Sequence, residues 1–268
     1  MTRIAWMTDI HLNFLRFKQI DHFLDTVNAA DPDVVLIAGD IGEAHTFAVF
    51  LDRFETRLQR PVYYVLGNHD FYFGSIAGVR SIAERLTEES QWLHWLPHEG
   101  VVELTPDTGL VGHDGWADGR YGDYAHSTLL LNDYLLIQEL AGLPSAPRLE
   151  KLNQFGDEAA AYLRRVLPQA LERFRQVYVL THVPPFKDAC LYQGVPSDDD
   201  SLPHFASKAV GDALLDSAKQ WPEHDITVLC GHTHNEAHVQ VLPNLLVHTG
   251  GAEYGEPVVQ DIIEVDLD

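Results

Sequence analysis

The sequence predicts an α/β fold built on parallel strands, and three observations carry that expectation. Short β-branched runs alternate with longer amphipathic stretches through the first third of the chain. One of those runs, Val34-Val35-Leu36-Ile37-Ala38, is apolar without a break, as a strand covered on both faces must be. Asp, His and Asn collect just past the ends of such runs, where open α/β sheets keep their ligand crevice.

The elements follow in order. Ile4-Ala5-Trp6-Met7 reads as a strand that stops before Asp9. Residues 14–30 read as a helix, with Phe14, Phe17, Ile20, Phe23, Leu24 and Val27 at helical spacing, and Asp31-Pro32 ends it. The run 34–38 is the second strand, 44–58 the second helix, and Pro61 opens a third strand at 62–66. This βαβαβ order implies parallel pairing with helices on the faces. A helix at 75–89 and shorter strands at 101–104 and 109–111 come next. Residues 114–156 then break the rhythm with a Gly-, Asp- and aromatic-rich start and a loop punctuated by Pro144 and Pro147. They read as an insertion or cap within one domain spanning 1–268. Helix returns at 157–175, bent or restarted at Pro168. A buried strand at 177–180 ends at Thr181-His182. A helix at 207–221 follows, with Ser207 as N-cap and Pro222 past its end. The last quarter is strand-rich, at 226–230, 237–242, 245–248 and 258–265.

Composition narrows the function. The chain has 268 residues, with 18 Lys and Arg against 40 Asp and Glu, a formal net charge of −22. Nucleic-acid binding needs a basic footprint, so a polyanionic partner is not expected. No apolar run is long enough to cross a bilayer. Asp9 falls where a secretory signal needs apolar residues, so a cytoplasmic protein is expected. Two cysteines, Cys190 and Cys230, exclude a disulfide scaffold and a Cys-rich zinc site. Fifteen histidines stand out and direct attention to metal chemistry.

Five strand ends deliver the polar set: Asp9-Ile10-His11, Gly39-Asp40, Gly67-Asn68-His69-Asp70, Thr181-His182, and Gly231-His232-Thr233-His234. Such a mixed N/O set without thiolate suits Mn, Fe or Zn. Seven potential ligands exceed one tetrahedral ion and match two ions that share a bridge. In Asp-x-His and His-x-His, alternate side chains of an extended backbone face the same side and can converge on one centre. Gly39, Gly67 and Gly231 are expected to let the chain turn sharply after a strand.

In these five ordered blocks, spanning residues 9–234, the sequence resembles the calcineurin-like metallophosphoesterases. The resemblance implies a four-layer αββα sandwich, two mixed β-sheets flanked by helices. It implies one metal position at Asp9, His11, Asp40 and His234, and a second at Asp40, Asn68, His182 and His232, with Asp40 bridging. It further implies that His69 faces the substrate phosphate and leaving group, and that Asp70 hydrogen-bonds His69 and fixes its orientation. Two ions roughly 3.5–4 Å apart can clamp a phosphoryl group and acidify a water between them for in-line attack on phosphorus. His69 then serves the leaving oxygen as general acid or hydrogen-bond donor, its imidazolium favoured by Asp70.

Arg120 and Lys187, scarce cations in loops, are candidate substrate-binding residues. Trp116, Tyr121, Tyr124 and Tyr192 are candidates for stacking on an aromatic group, and His113 and His248 are further rim candidates. The expected activity is hydrolysis of a phosphate ester on a small soluble substrate, with a diester favoured over a monoester. A non-catalytic binding module of the same fold is the different-class alternative, disfavoured by the complete ligand set. Oligomeric state, metal identity and substrate are not legible.

Overall fold

Ile4 and Trp6 of the first strand point to one side and Ala5 and Met7 to the other, and all four are buried. A strand apolar on both faces needs a layer on each side. In the computed structural model, which describes residues 1–266, the elements run in the order β1 (Thr2–Met7), α1 (Phe17–Ala29), β2 (Val34–Ala38), α2 (Phe47–Leu58), β3 (Val62–Val65), α3 (Ile76–Glu89), β4 (Leu93–Trp95), α4 (Leu96–Glu99), β5 (Val102–Thr105) and β6 (Thr108–Gly112). They continue with α5 (Asp133–Leu136), α6 (Ser145–Leu171), β7 (Gln176–Leu180), β8 (Leu191–Tyr192), β9 (Val195–Pro196), α7 (Leu202–Phe205) and α8 (Lys208–Gln220). The chain closes on β10 (Asp225–Cys230), β11 (Ala237–Leu242), β12 (Leu245–Thr249) and β13 (Asp261–Val265).

Two mixed sheets form, in the orders β13-β1-β2-β3-β4 and β11-β12-β10-β7-β6-β5. Within the first, β1 through β4 are parallel and β13 pairs antiparallel with β1. Within the second, the β12-β10-β7-β6 core is parallel, with antiparallel β11 and β5 at the edges. Ile4, Trp6, Val34, Leu36 and Ala38 pack against Leu110, Tyr178, Leu180 and Leu229, so the sheets face each other. The opposite-facing Met7, Val35 and Ile37 meet Leu24, Phe47 and Phe54 of α1 and α2. Val177, Val179 and Val228 meet Leu163, Leu167 and Leu214 of α6 and α8. Alternation along β2 thus feeds two cores, and the result is the expected four layers.

Two local readings change. Residues 145–156 are helical: Pro144 caps α6 and Pro147 lies in its first turn, where a missing N–H costs nothing. Pro168 sits inside the same helix without ending it. Cys190 is fully buried, its thiol donating to Ser197 Oγ at 3.3 Å. The short elements β4, α4, α5 and α7 lack enough sequence for a period to show.

Candidate metal centre

The ends of β1, β2, β3, β7 and β10 open onto one rim, and the loops that follow are stitched together. Asp9 N–H donates to the Gly39 carbonyl at 3.1 Å, and His11 N–H to the Asp40 carbonyl at 2.9 Å. Gly67 and Gly231 supply space more than curvature. A Cβ on Gly67 would stand 2.2 Å from Asp40 Oδ1, and one on Gly231 would stand 1.9 Å from Asp9 Oδ2. Asp9, His11, Asp40, His232 and His234 all adopt positive φ, between 40° and 70°. Non-glycine residues rarely hold that conformation, and it collects at functional sites.

Two donor groups result. In the first, one atom each from Asp9, His11, Asp40 and His234 lies within 4.8 Å of the others. His234 Nε2 is 3.4 Å from Asp9 Oδ1, and His11 Nε2 is 3.7 Å from Asp40 Oδ2. In the second, His182 Nε2 and His232 Nδ1 each stand 3.0 Å from Asn68 Oδ1. Asp40 Oδ1 lies 3.5 Å from His182 Nε2. Asp40 therefore turns one oxygen toward each group.

The protonation pattern decides what the second group can hold. His182 Nδ1 faces the Ala38 carbonyl at 2.8 Å, and His232 Nε2 faces the His204 carbonyl at 3.1 Å. A carbonyl only accepts, so each ring carries a proton on that nitrogen, and in the neutral tautomer this fixes, the other nitrogen offers its lone pair inward. The Asn68 amide is fixed likewise: its Nδ2 donates to Asp133 Oδ1 at 2.9 Å, so Oδ1 faces the rings. In those tautomers three acceptors converge, an arrangement that a cation satisfies.

The electrostatics of the first group are unbalanced in the same sense. Burial pushes the Asp9 carboxyl up, but the proximity of His182 and a hydrogen bond with His234 outweigh it and hold Asp9 below the usual carboxylate range. Burial raises Asp40, and the neighbouring charges of Asp9 and Asp70 add to that. Burial also lowers His11 to about 2 and His232 to about 3, keeping both neutral and available as ligands.

His69 lines a cleft of about 390 Å³ beside both groups, with Tyr72, Tyr192, Phe205 and Tyr254 among its walls. Its Nε2 lies 4.0 Å from Asp40 Oδ2. The role expected for Asp70 is corrected. Asp70 Oδ1 accepts from Ile41 N–H at 3.0 Å and Gly42 N–H at 2.8 Å, and Oδ2 accepts from Gly67 N–H at 2.9 Å. With both oxygens committed to main chain, Asp70 ties the β2 and β3 loops together and makes no bond to the His69 ring. Stacking on Tyr72, at 4.3 Å between centroids, orients that ring instead. The imidazolium expected of His69 is not favoured either: burial, with the charges of His182 and His234, lowers it to about 4.

Arg120 lies outside the cleft lining and binds Asp118 at 3.2 Å and Asp157 at 2.8 Å. Lys187, in a 3₁₀ turn after β7, is also absent from that lining. Trp116 and Tyr124 are buried, whereas Tyr192 reaches the cleft. His113 is buried, its Nδ1 accepting from Gly115 N–H at 3.1 Å, and His248 lies on β12 facing His238. Sequence reasoning missed Asp133, Tyr72, Tyr254 and the His204 carbonyl. Of these, only Tyr72 has a local signal, three residues past His69 on a turn.

A profile described as calcineurin-like phosphoesterase matches residues 2–236. The chain belongs to the calcineurin-like phosphoesterase family. Membership makes it a metal-dependent phosphoester hydrolase of a family that normally binds two divalent metals, and its donor groups fit such ions. The phosphoesterase is similar in fold to phosphopantetheinyl hydrolase from Mycobacterium tuberculosis (14% identity, TM-score 0.67, covering 93% of this chain and 89% of that one). It is also similar to a dimetal phosphatase from Danio rerio (16% identity, TM-score 0.57, covering 93% and 87%). A sequence comparison with curated proteins gave no match. Among the described residues, no helix of the phosphoesterase is long and apolar enough to cross a membrane.

Proposed function

We propose that this phosphoesterase hydrolyses a small soluble phosphodiester at two first-row metal ions, Mn, Fe or Zn. One ion is held by Asp9, His11, Asp40 and His234, and the other by Asp40, Asn68, His182 and His232. The observation that carries the reading is Asp40, whose two oxygens face the two donor groups from one buried side chain. When bound, the ions supply Lewis acidity at the phosphoryl group and an acidified water.

The chain's own residues do the rest. Asp40 and Asn68 set the relative position of the two donor groups. His69, beside Asp40 on the cleft wall, donates a hydrogen bond to the leaving oxygen as negative charge grows there. The Tyr72 ring holds the imidazole in plane, and the walls Tyr192, Phe205 and Tyr254 exclude water from the organic part of the substrate.

The diester preference rests on charge. Among the described residues, no Lys or Arg lines the cleft. A monoester dianion finds no cation beyond the ions themselves, whereas a diester carries one charge fewer. The net charge of −22 adds long-range repulsion against polyanions. Two free, buried thiols, Cys190 and Cys230, fit a reducing, cytoplasmic compartment. The test is turnover of a bis-aryl phosphodiester against the aryl monoester after reconstitution with Mn, Fe or Zn. Faster diester turnover supports the proposal. Faster monoester turnover makes the protein a phosphomonoesterase, and no turnover with any metal removes the catalytic reading.

A further inference from the structure

The insertion reaches the second donor group directly through Asp133, and through His204 by way of Tyr134 and Ser127. Asp133 opens α5 and is buried. Its Oδ1 accepts from Asn68 Nδ2 at 2.9 Å and from the Tyr72 hydroxyl at 2.7 Å. Asn68 Nδ2 also lies 3.3 Å from the Tyr72 hydroxyl. A carboxylate cannot donate, so this contact fixes which end of the Asn68 amide faces the metal position. The next residue, Tyr134, meets His204 Nδ1 through its hydroxyl, while Ser127 Oγ lies 2.8 Å from His204 Nε2. Both ring nitrogens of His204 are thus held by the insertion, and its carbonyl fixes the ring of His232. None of these contacts reaches Asp9, His11 or His234.

We infer that residues 127–134 of the insertion are an outer brace for the second metal position, with Asp133 a positioning residue for Asn68 and Tyr134 with Ser127 positioning His232 through His204. The inference rests on the two-metal reading above. Loss of an outer partner of a metal ligand typically lowers metal affinity ~10–100-fold. The brace acts on one position only, so its removal separates the two ions in affinity.

Equilibrium dialysis of the full chain against buffered free Zn²⁺, with metal counted by mass spectrometry, tests this. Asp133→Ala weakens the second Zn²⁺ about 10–100-fold and leaves the first unchanged. Asp133→Asn, which keeps a carbonyl acceptor for Asn68 and Tyr72, recovers most of that loss, and Tyr134→Phe shows a smaller weakening of the second ion. Glu139→Gln alters the same segment where it caps α3, through Ile76 N–H at 3.0 Å, and leaves both affinities unchanged. Excess Zn²⁺ restores the second ion to Asp133→Ala, which separates lost affinity from lost folding. Unchanged affinity of the second ion in Asp133→Ala, or equal weakening of both ions, overturns the brace. A wild-type chain that never holds more than one ion overturns the two-metal reading instead.

Discussion

Asp70→Asn distinguishes a loop clamp from a catalytic orienter. The substitution keeps the size of the side chain and keeps Oδ1 as an acceptor for Ile41 and Gly42. At the other position it replaces Oδ2 with an NH₂ group facing Gly67 N–H, at a site where the pair now stands 2.9 Å apart. One hydrogen bond to a charged acceptor is lost, about 1.5–3 kcal/mol, and two buried donors oppose each other, about 1–3 kcal/mol more. Local relaxation absorbs part of the sum, so the expected destabilisation is about 3 kcal/mol. For a chain of this size that is a fall in Tm of roughly 6–12 °C. Urea unfolding of the metal-free protein measures it directly, because neither ions nor substrate contribute. Wild-type stability together with a lost activity refutes the clamp and returns Asp70 to His69.

His69→Ala is expected to retain two ions per chain and to lose about 10²–10⁴-fold in kcat, measured on the bis-aryl diester. Retained turnover removes His69 from the mechanism. Asp40→Ala is expected to empty both positions, read by metal analysis after dialysis, and two ions per chain would refute the bridge. His113 is buried and pushed down to about 4 by desolvation, below its unfolded value near 6.5. As pH falls below 6.5 the unfolded chain takes up this proton first, so stability is full above that pH and is lost down to about pH 4. Each such ring costs about 1.4 kcal/mol per pH unit. His113→Gln, which keeps an acceptor for Gly115 N–H, flattens the urea stability–pH profile by that amount, and an unaltered slope refutes the assignment.

The fold and the convergence of the donor side chains were legible in the sequence because both are written locally. An unbroken run such as 34–38 has one physical reading, and each ligand block directly follows its strand. Residues 114–156 were legible only as an interruption of the rhythm. The brace proposed for them depends on Asp133 meeting Asn68 from a four-residue helix, too short to leave a period and 65 positions away in sequence. Arg120 illustrates the opposite failure. A scarce cation in a polar loop looks free, but nothing in the sequence marks the buried Asp118 and the exposed Asp157 as its partners until the chain folds. Asp70 was misassigned because adjacency to His69 in sequence says nothing of which backbone N–H groups its carboxylate will face.

Five residues of the two donor groups hold a left-handed backbone, and that has an energetic consequence. Each such residue costs roughly 1–2 kcal/mol, so the set draws about 5–10 kcal/mol from a net stability of only about 5–15 kcal/mol in ordinary domains. Ions that bind the folded chain return stability in proportion to their free concentration. Ions bound at the donor groups would therefore act on folding as well as on chemistry, offsetting strain that the metal-free chain carries alone.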